Sequence, residues 1–501
     1  MVIVVPAVLG VAIAVLPIGY LLIRAGESGW AGVVAVVWRA STLALLGRSL
    51  LLAVTVTLLC VVTAVGLALL VTRTDLPGRR VVGVLAVVPL AIPSYVAAYA
   101  WLAAYRPLAG FGGAVLVLTA CSYPYVFLPT VAALRRTDAS IEEVARSLGR
   151  RPLAVLLGVT VPQLRSSIGA GALLVALYVL SDFGAVSLLR YDVFTRVIHF
   201  SYRASFDRTP AAILASLLVM ITVVIVLAEV RARRRAELIE LGGRTARPAP
   251  RIGLGRWRWP ALGACLAVFT VAVGFPVASM VFWLVRSQRA GIDGGRLLDS
   301  AVATVGLSLG GALVSVALAL PVGILVARYR STITRLIEQA CFAAHGLPGI
   351  VVALALVFFG IRYAQPIYQE VPLLLLAYAA LFLPTAFGAI RSAVQSVSPE
   401  LEHVARSLGQ PPSAVLRRIT VPLAMPGVLA GFALATLTCM KELPATLLLR
   451  PTGLDTLATR LWSQTDVVAF GSAAPYAVLL VLLAGLPTLL LTRVYRVGGS
   501  G

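Results

Sequence analysis

Val144-Ala-Arg-Ser-Leu-Gly149 is spelled a second time as Val404-Ala-Arg-Ser-Leu-Gly409, and each copy leads at the same distance into Thr-Val-Pro, Thr160 to Pro162 and Thr420 to Pro422. The two copies are offset by 260 residues. Around these polar islands the chain is 60% hydrophobic and only 12% charged, with a mean hydropathy of +0.96. Soluble domains carry about 25% charged residues, so this is a polytopic membrane protein. A loop that merely joins two spans has no reason to be written twice in the same letters. A duplicated polar loop in such a chain points to two equivalent docking sites for a pair of identical soluble partners.

A helix crossing a bilayer needs about 20 apolar residues. Twelve stretches qualify, at roughly 2–23, 43–71, 81–104, 112–134, 166–189, 209–230, 259–285, 301–327, 338–361, 371–391, 427–449 and 472–492. The first lacks the basic start, the short apolar core and the small-residue cleavage site of a signal peptide, and is expected to be a retained span. Further echoes bind the two halves together. Phe127-Leu-Pro-Thr130 matches Phe382-Leu-Pro-Thr385 and Ile92-Pro93 matches Leu347-Pro348 at an offset of 255, whereas Leu188-Leu-Arg190 matches Leu448-Leu-Arg450 at 260. The second half therefore gained about five residues just before its loop. The expected fold is all-α, with about twelve transmembrane helices in two six-helix repeats. An even number of spans per half makes the repeats parallel, related by an axis along the membrane normal. The halves are expected at 1–230 and 259–501, with the polar loops at about 138–162 and 398–422. Between the halves, 231–258 is rich in Arg, Gly and Pro and reads as a solvated linker.

The net charge of +22 would suggest nucleic acid in a soluble protein; here its placement accounts for it without one. With a cytoplasmic N-terminus, 27 arginines fall on inside segments and 14 on outside ones. That bias puts both polar loops and both termini in the cytoplasm. The Arg231–Arg235 cluster suits a topology anchor, or a contact with anionic lipid headgroups. Cys60, Cys121, Cys265, Cys341 and Cys439 all lie in apolar spans and read as small core hydrophobes. His199, His345 and His403 are scattered, with no neighbour at metal-ligand spacing.

The loops have their own local logic. Ser140 stands three residues before Glu143, the spacing of a capping box, so a helix should start there. In the second copy Ser398 can cap while Pro399 takes the first helical position and Glu400 meets the positive helix end. Gly149 and Gly409 suit the left-handed position that ends the helix. Pro162 and Pro422 can begin the next apolar span.

Three charges fall at membrane depth: Asp182, Lys441 and Glu442, the two acids being equivalent at the 260 offset. Intramembrane charges are costly and face a cavity or a partner. Two readings stay open. Either the two carboxylates line a translocation path, or Lys441 neutralises Asp182 and holds the halves together. Lys441 is the chain's one lysine and follows no glycine-rich loop, so a phosphate-cradling nucleotide site is excluded. No catalytic constellation is present, and the chain is expected to be a transport subunit with no cofactor of its own. A gradient-driven transporter also often has two parallel halves, but has no use for two identical polar loops.

Glu143-Val-Ala145 followed by Gly149 resembles the "EAA" loop of permease subunits of binding-protein-dependent ABC importers. Essentially the whole chain is covered by the resemblance. It implies that each loop carries a coupling helix lodged in one of two copies of an ATP-hydrolysing subunit, in a bacterial cytoplasmic membrane. Glu143, Ala145, Arg146 and Gly149 in the first copy, and Glu402, His403, Ala405, Arg406 and Gly409 in the second, are then the coupling residues. The second copy departs, with His403 at the glutamate position and Glu402 beside it. Met440-Lys-Glu-Leu-Pro-Ala-Thr-Leu-Leu-Leu-Arg-Pro451, and Asp182-Phe-Gly-Ala-Val186 in the first half, resemble the fused two-half permeases of ferric iron importers. That implies an extracytoplasmic binding protein as donor; relatives carrying thiamine or phosphonates keep the solute open. Arg190 and Arg450 are two-fold mates on the outside, with Arg196 and Arg460 nearby. They either steer the binding protein or satisfy helix C-terminal carbonyls.

Overall fold

One proline in each half, Pro93 and Pro348 at matched positions, interrupts the helical pattern. Proline cannot donate a backbone N–H and pushes the residue before it out of the helical region. In the computed structural model, which describes residues 4–136, 139–204, 208–241, 251–288, 291, 293–329 and 331–497, Ile92 is extended and the chain bends by 92° between Arg79–Ala91 and Ser94–Ala104. The equivalent Pro348 (φ −61°, ψ 137°) separates helix Thr332–His345 from Gly349–Tyr363. The stretches 81–104 and 338–361 are thus broken helices, not continuous spans.

Among the described residues the fold is helical, with an isolated bridge between Thr74 and Ile252. Eight helices are long and apolar enough to cross a membrane, from Val4–Gly26 to Pro412–Met440. Two bent pairs bring the total to 10, and Gly349–Tyr363 and Phe470–Gly485 are shorter apolar helices. Each of the twelve apolar stretches overlaps one of these elements, but 427–449 overruns its helix, which ends at Met440 before a short helix, Pro444–Leu449. The span expected at 166–189 stops early: Arg165–Ser181 ends at Asp182, and a short helix, Gly184–Leu188, follows.

The halves interlock. Helix Val4–Gly26 packs against second-half helices Gly294–Arg328, Val371–Ser396 and Gly349–Tyr363 as well as against Thr209–Leu241. Gly10 lets it approach so closely that an added Cβ would lie 2.8 Å from the Leu318 carbonyl oxygen. Tyr20 donates to the Phe358 carbonyl at 3.4 Å. Reciprocally, Phe275–Gln288 packs on Ser94–Ala104 of the first half, where Ser279 donates to Ala100 O at 2.7 Å and Trp101 stacks on Phe275 at 3.9 Å. The stretches 1–230 and 259–501 therefore pack into one another and are not separate bundles.

The segment expected as a solvated linker is partly structured. Helix Thr209–Leu241 runs through its first part. Its last part is tied to the end of helix Ala40–Arg73: Ile252 N–H donates to Arg73 O at 2.8 Å and Leu254 N–H to Asp75 Oδ1 at 2.8 Å.

Candidate functional site

Both polar loops fold into the same device. Surface helices span Ala139–Ser147 and Pro399–Ser407. Gly149 and Gly409 each have φ +79°. Gly149 N–H reaches Arg146 O at 2.9 Å and Arg150 N–H reaches Ala145 O at 3.3 Å; Gly409 and Gln410 repeat the pair at 3.0 and 3.1 Å. These bonds close the helix end around a left-handed residue. Ser398 Oγ accepts from Glu400 N–H at 3.2 Å, with Pro399 at the first helical position. The Ser140 side chain lies outside the described residues. Short helices Pro152–Val155 and Pro412–Val415 then lead back through π-turns, Leu156–Thr160 and Leu416–Thr420.

The loop helices divide their residues cleanly. Ala145 and Ala405 are buried, whereas Glu143, Val144 and Leu148, and His403, Val404 and Leu408, are exposed. The first copy thus presents a carboxylate where the second presents an imidazole, beside the same two apolar side chains. The buried acid is the preceding one. Glu142 lies 3.1 Å from the Arg73 guanidinium and accepts from the Thr160 hydroxyl at 2.9 Å. Glu402 accepts from Arg328 Nε at 2.8 Å and from Thr420 at 2.8 Å. Arg146 and Arg406 stand 3.9 and 4.0 Å from these same carboxylates. Sequence reasoning matched Glu143 with His403 and passed over Glu142, although Glu142 and Glu402 are the identical residue at the 260 offset.

Midway between the halves lies a cavity of about 360 Å³, lined by Pro93, Ser94, Tyr95, Tyr178 and Asp182 from the first and Leu347, Gly349, Thr385, Lys441 and Glu442 from the second. Asp182 and Glu442 each precede a short helix by two residues and accept from backbone N–H groups in its first turn. Asp182 accepts from the Ser94 hydroxyl and from Ala185 and Val186 N–H at 3.0 and 3.3 Å. Glu442 accepts from Ala445 N–H at 2.9 Å, at the start of helix Pro444–Leu449. Ser94 corresponds to Gly349, and an added Cβ at Gly349 would sit 2.7 Å from Glu442 Oε1. The longer acid therefore occupies the space that the serine side chain fills in the first half. Lys441 donates across the seam to Leu90 O at 2.9 Å; among the described residues it pairs with no carboxylate. No group of three or more His, Cys, Asp or Glu that could hold a metal occurs among those residues. The five cysteines are free and buried.

At the end opposite the loops, Arg450 and Arg460 both engage Asp455, the latter at 2.7 Å. Arg196 pairs with Asp192. Arg190 takes the left-handed conformation (φ +55°) at the end of Gly184–Leu188, and no ion pair holds it among the described residues. With Arg106, Arg196 and Asp466 it lines a second inter-half cavity, of about 250 Å³. Nearby His199 is buried, and that burial lowers its pKa to about 4, with Arg203 adding to the effect.

Known proteins resemble this chain in sequence. The family model described as binding-protein-dependent transport system inner membrane component matches residues 62–235 and again 319–497. The "Fe(3+)-transport system permease protein FbpB 2" of Haemophilus influenzae is 35% identical over 482 residues, 95% of either chain. The "Putative 2-aminoethylphosphonate transport system permease protein PhnV" of Salmonella typhimurium is 33% identical over 25% of this chain and 46% of its own. "Molybdenum transport system permease protein ModB" of Mycobacterium bovis is 30% identical over 36% of this chain and 73% of its own. With two copies of the family's module on a helical, multi-pass frame, the chain belongs to the binding-protein-dependent transport system inner membrane components, the permease subunits of ABC importers.

Proposed function

We propose that this chain forms the membrane pore of an ATP-driven ferric iron importer. The observation that carries the reading is the 35% identity along 95% of a ferric permease, which the partial matches to other permeases do not approach. Two ATPase subunits dock on the loops, one on Glu143, Val144 and Leu148 and the other on His403, Val404 and Leu408. The loop end and both termini face the cytoplasm. An extracytoplasmic binding protein docks at the opposite end, near Arg190, Arg196, Arg450 and Arg460. The solute passes through the central cavity.

The geometry supports a path over a resident metal site. Asp182 and Glu442 spend acceptor capacity on backbone N–H groups, so a passing cation meets carboxylates that are already engaged. Weak engagement suits transport, because a site that binds tightly cannot release. ATP binding draws the loop helices together, and the two-state equilibrium shifts by the ligand's differential affinity for the two forms.

The test is reconstitution with an ATPase and a binding protein that co-purify with the chain. Two ATPase copies per chain and ATP-dependent uptake of radiolabelled ferric iron are expected. Uptake of an aminoethylphosphonate and not of iron would move the solute assignment while keeping the importer; uptake by the chain alone in an ion gradient would overturn the importer.

A further inference from the structure

The most strongly repeated chemistry in the molecule faces inward and not toward a partner. Each loop helix buries one carboxylate, and each carboxylate gathers three separate elements. Arg73 and Arg328 are the last residues of the long helices Ala40–Arg73 and Gly294–Arg328. Glu142 and Glu402 belong to the loop helices. Thr160 and Thr420 close the π-turns that enter the fifth helix of each half. Arg328 adds a bond to Val397 O at 3.0 Å, on the strand of chain leading into its loop helix.

Burial of an ion pair is a poor way to gain stability, since apolar residues of similar volume often do as well or better. What such a pair does supply is a fixed geometry, because moving either charge alone leaves the other buried and unpaired. The exposed neighbours differ between the copies, Glu143 against His403, while the buried cluster is spelled identically twice. Its identity therefore does not track the surface shown to a partner. The π-turns are looser than α-helix and concentrate at functional sites. They sit at matched positions where a displaced loop helix would have to bend the chain.

We propose that Glu142 and Glu402 are positioning residues that carry displacement of the loop helices to the second and fifth helices of each half. Arg73 and Arg328 form one arm of the strut and Thr160 and Thr420 the other. This rests on the loops being ATPase docking sites. In consequence, the carboxylate transmits motion and the exposed residue beside it makes the contact.

The test uses the full complex in proteoliposomes, with Glu142→Gln and Glu402→Gln, singly and together. Retention of the ATPase subunit, ATP hydrolysis, ferric uptake and thermal midpoint are measured on each. The Gln variants should retain the ATPase and hydrolyse ATP, while solute moved per ATP falls about tenfold, within the range usual for coupling between sites. If a single variant does not fold, Arg328→Gln with Glu402→Gln removes both charges together, and the same fall is expected. An unchanged ratio of uptake to hydrolysis, or loss of the ATPase subunit from the Gln variants, overturns the strut. Failure of the wild-type chain to retain any ATPase would instead overturn the docking reading beneath it.

Discussion

Asp182 and Lys441 share the central cavity but bond to different partners, and a thermodynamic cycle on the pair follows from that. Asp182→Ala removes the acceptor for two N–H groups and for the Ser94 hydroxyl. Losing the cap costs about 0.5–2 kcal/mol. The stranded hydroxyl adds about 1–3 kcal/mol, so the substitution should destabilise by roughly 2–4 kcal/mol. Asp182→Asn keeps an oxygen in place and caps nearly as well, so it should cost well under half as much. Lys441→Met loses the bond to Leu90 O and also the burden of a buried ammonium, and these effects oppose each other. With no bond between them, Asp182 and Lys441 should couple only through the cavity they share, by about 0.5–1 kcal/mol, the low end of the range for neighbouring sites. Thermal midpoints of the purified single and double variants test this, with uptake measured on the same samples. A buried ion pair would behave otherwise: Asn would be as damaging as Ala, each stranding the ammonium at about 3–5 kcal/mol, and Lys441→Met would restore much of the loss. That pattern would refute the capping assignment.

Gly149→Val and Gly409→Val force a β-branched side chain into a left-handed backbone (φ +79° in each). Both should uncouple hydrolysis from uptake without lowering membrane abundance, and wild-type uptake in the double variant would dismiss the loop assignment. Charge reversal at Arg190, whose guanidinium is unpaired among the described residues, should slow association of the binding protein at low salt more than reversal at Arg450, which Asp455 already holds. Stopped-flow association across ionic strength reads this, and equal effects would count against Arg190 as the steering charge. His199, held to about 4 by burial, is a base whose folded pKa lies below its unfolded value near 6.5. The unfolded chain therefore binds the extra proton, and stability falls as pH drops from about 6.5 toward 4. Between pH 7 and 5 the loss should be about 2 kcal/mol. His199→Gln should flatten that slope in a pH series of thermal midpoints; an unaltered slope would assign it to other groups.

Helix content and the twofold repeat were legible because they are written in composition and in repeated letters. The twelve apolar stretches all fall on helices, since a bilayer leaves the backbone few other ways to satisfy its own polar groups. Continuity was less legible. Apolar windows run straight through Ile92-Pro93 and Leu347-Pro348, because hydropathy reports the solvent and not the backbone. The matched prolines were in view as repeat markers, and their missing N–H groups make them breaks as well. Interlocking of the halves left no trace in the letters. Gly10 matters through its distance from the Leu318 backbone, and a single glycine in an apolar helix has many equally plausible neighbours.

The site shows where offset arithmetic succeeds and where it needs geometry. Asp182 and Glu442 were found by the 260 offset, yet the meaning of their different lengths required the 255 offset too, which pairs Ser94 with Gly349. A shorter acid with a serine, and a longer acid with no side chain opposite, fill the same space in two ways. The buried clusters straddle the same insertion: Arg73 and Arg328 are related by 255, whereas Glu142 and Glu402, and Thr160 and Thr420, are related by 260. The second half's extra residues must therefore lie between the end of its second helix and its loop helix. There they were absorbed without disturbing either the ion pair or the hydroxyl bond, which are 2.7–3.1 Å in both copies. A contact that keeps its members together across an insertion in the chain connecting them is held by its own chemistry and not by the loop's length, even though Arg328 Nε donates to its carboxylate while Arg73 Nε and Nη2 make no hydrogen bond. That is the physical reason to place the transmission of motion in Glu142 and Glu402, and to leave docking to the exposed and divergent residues beside them.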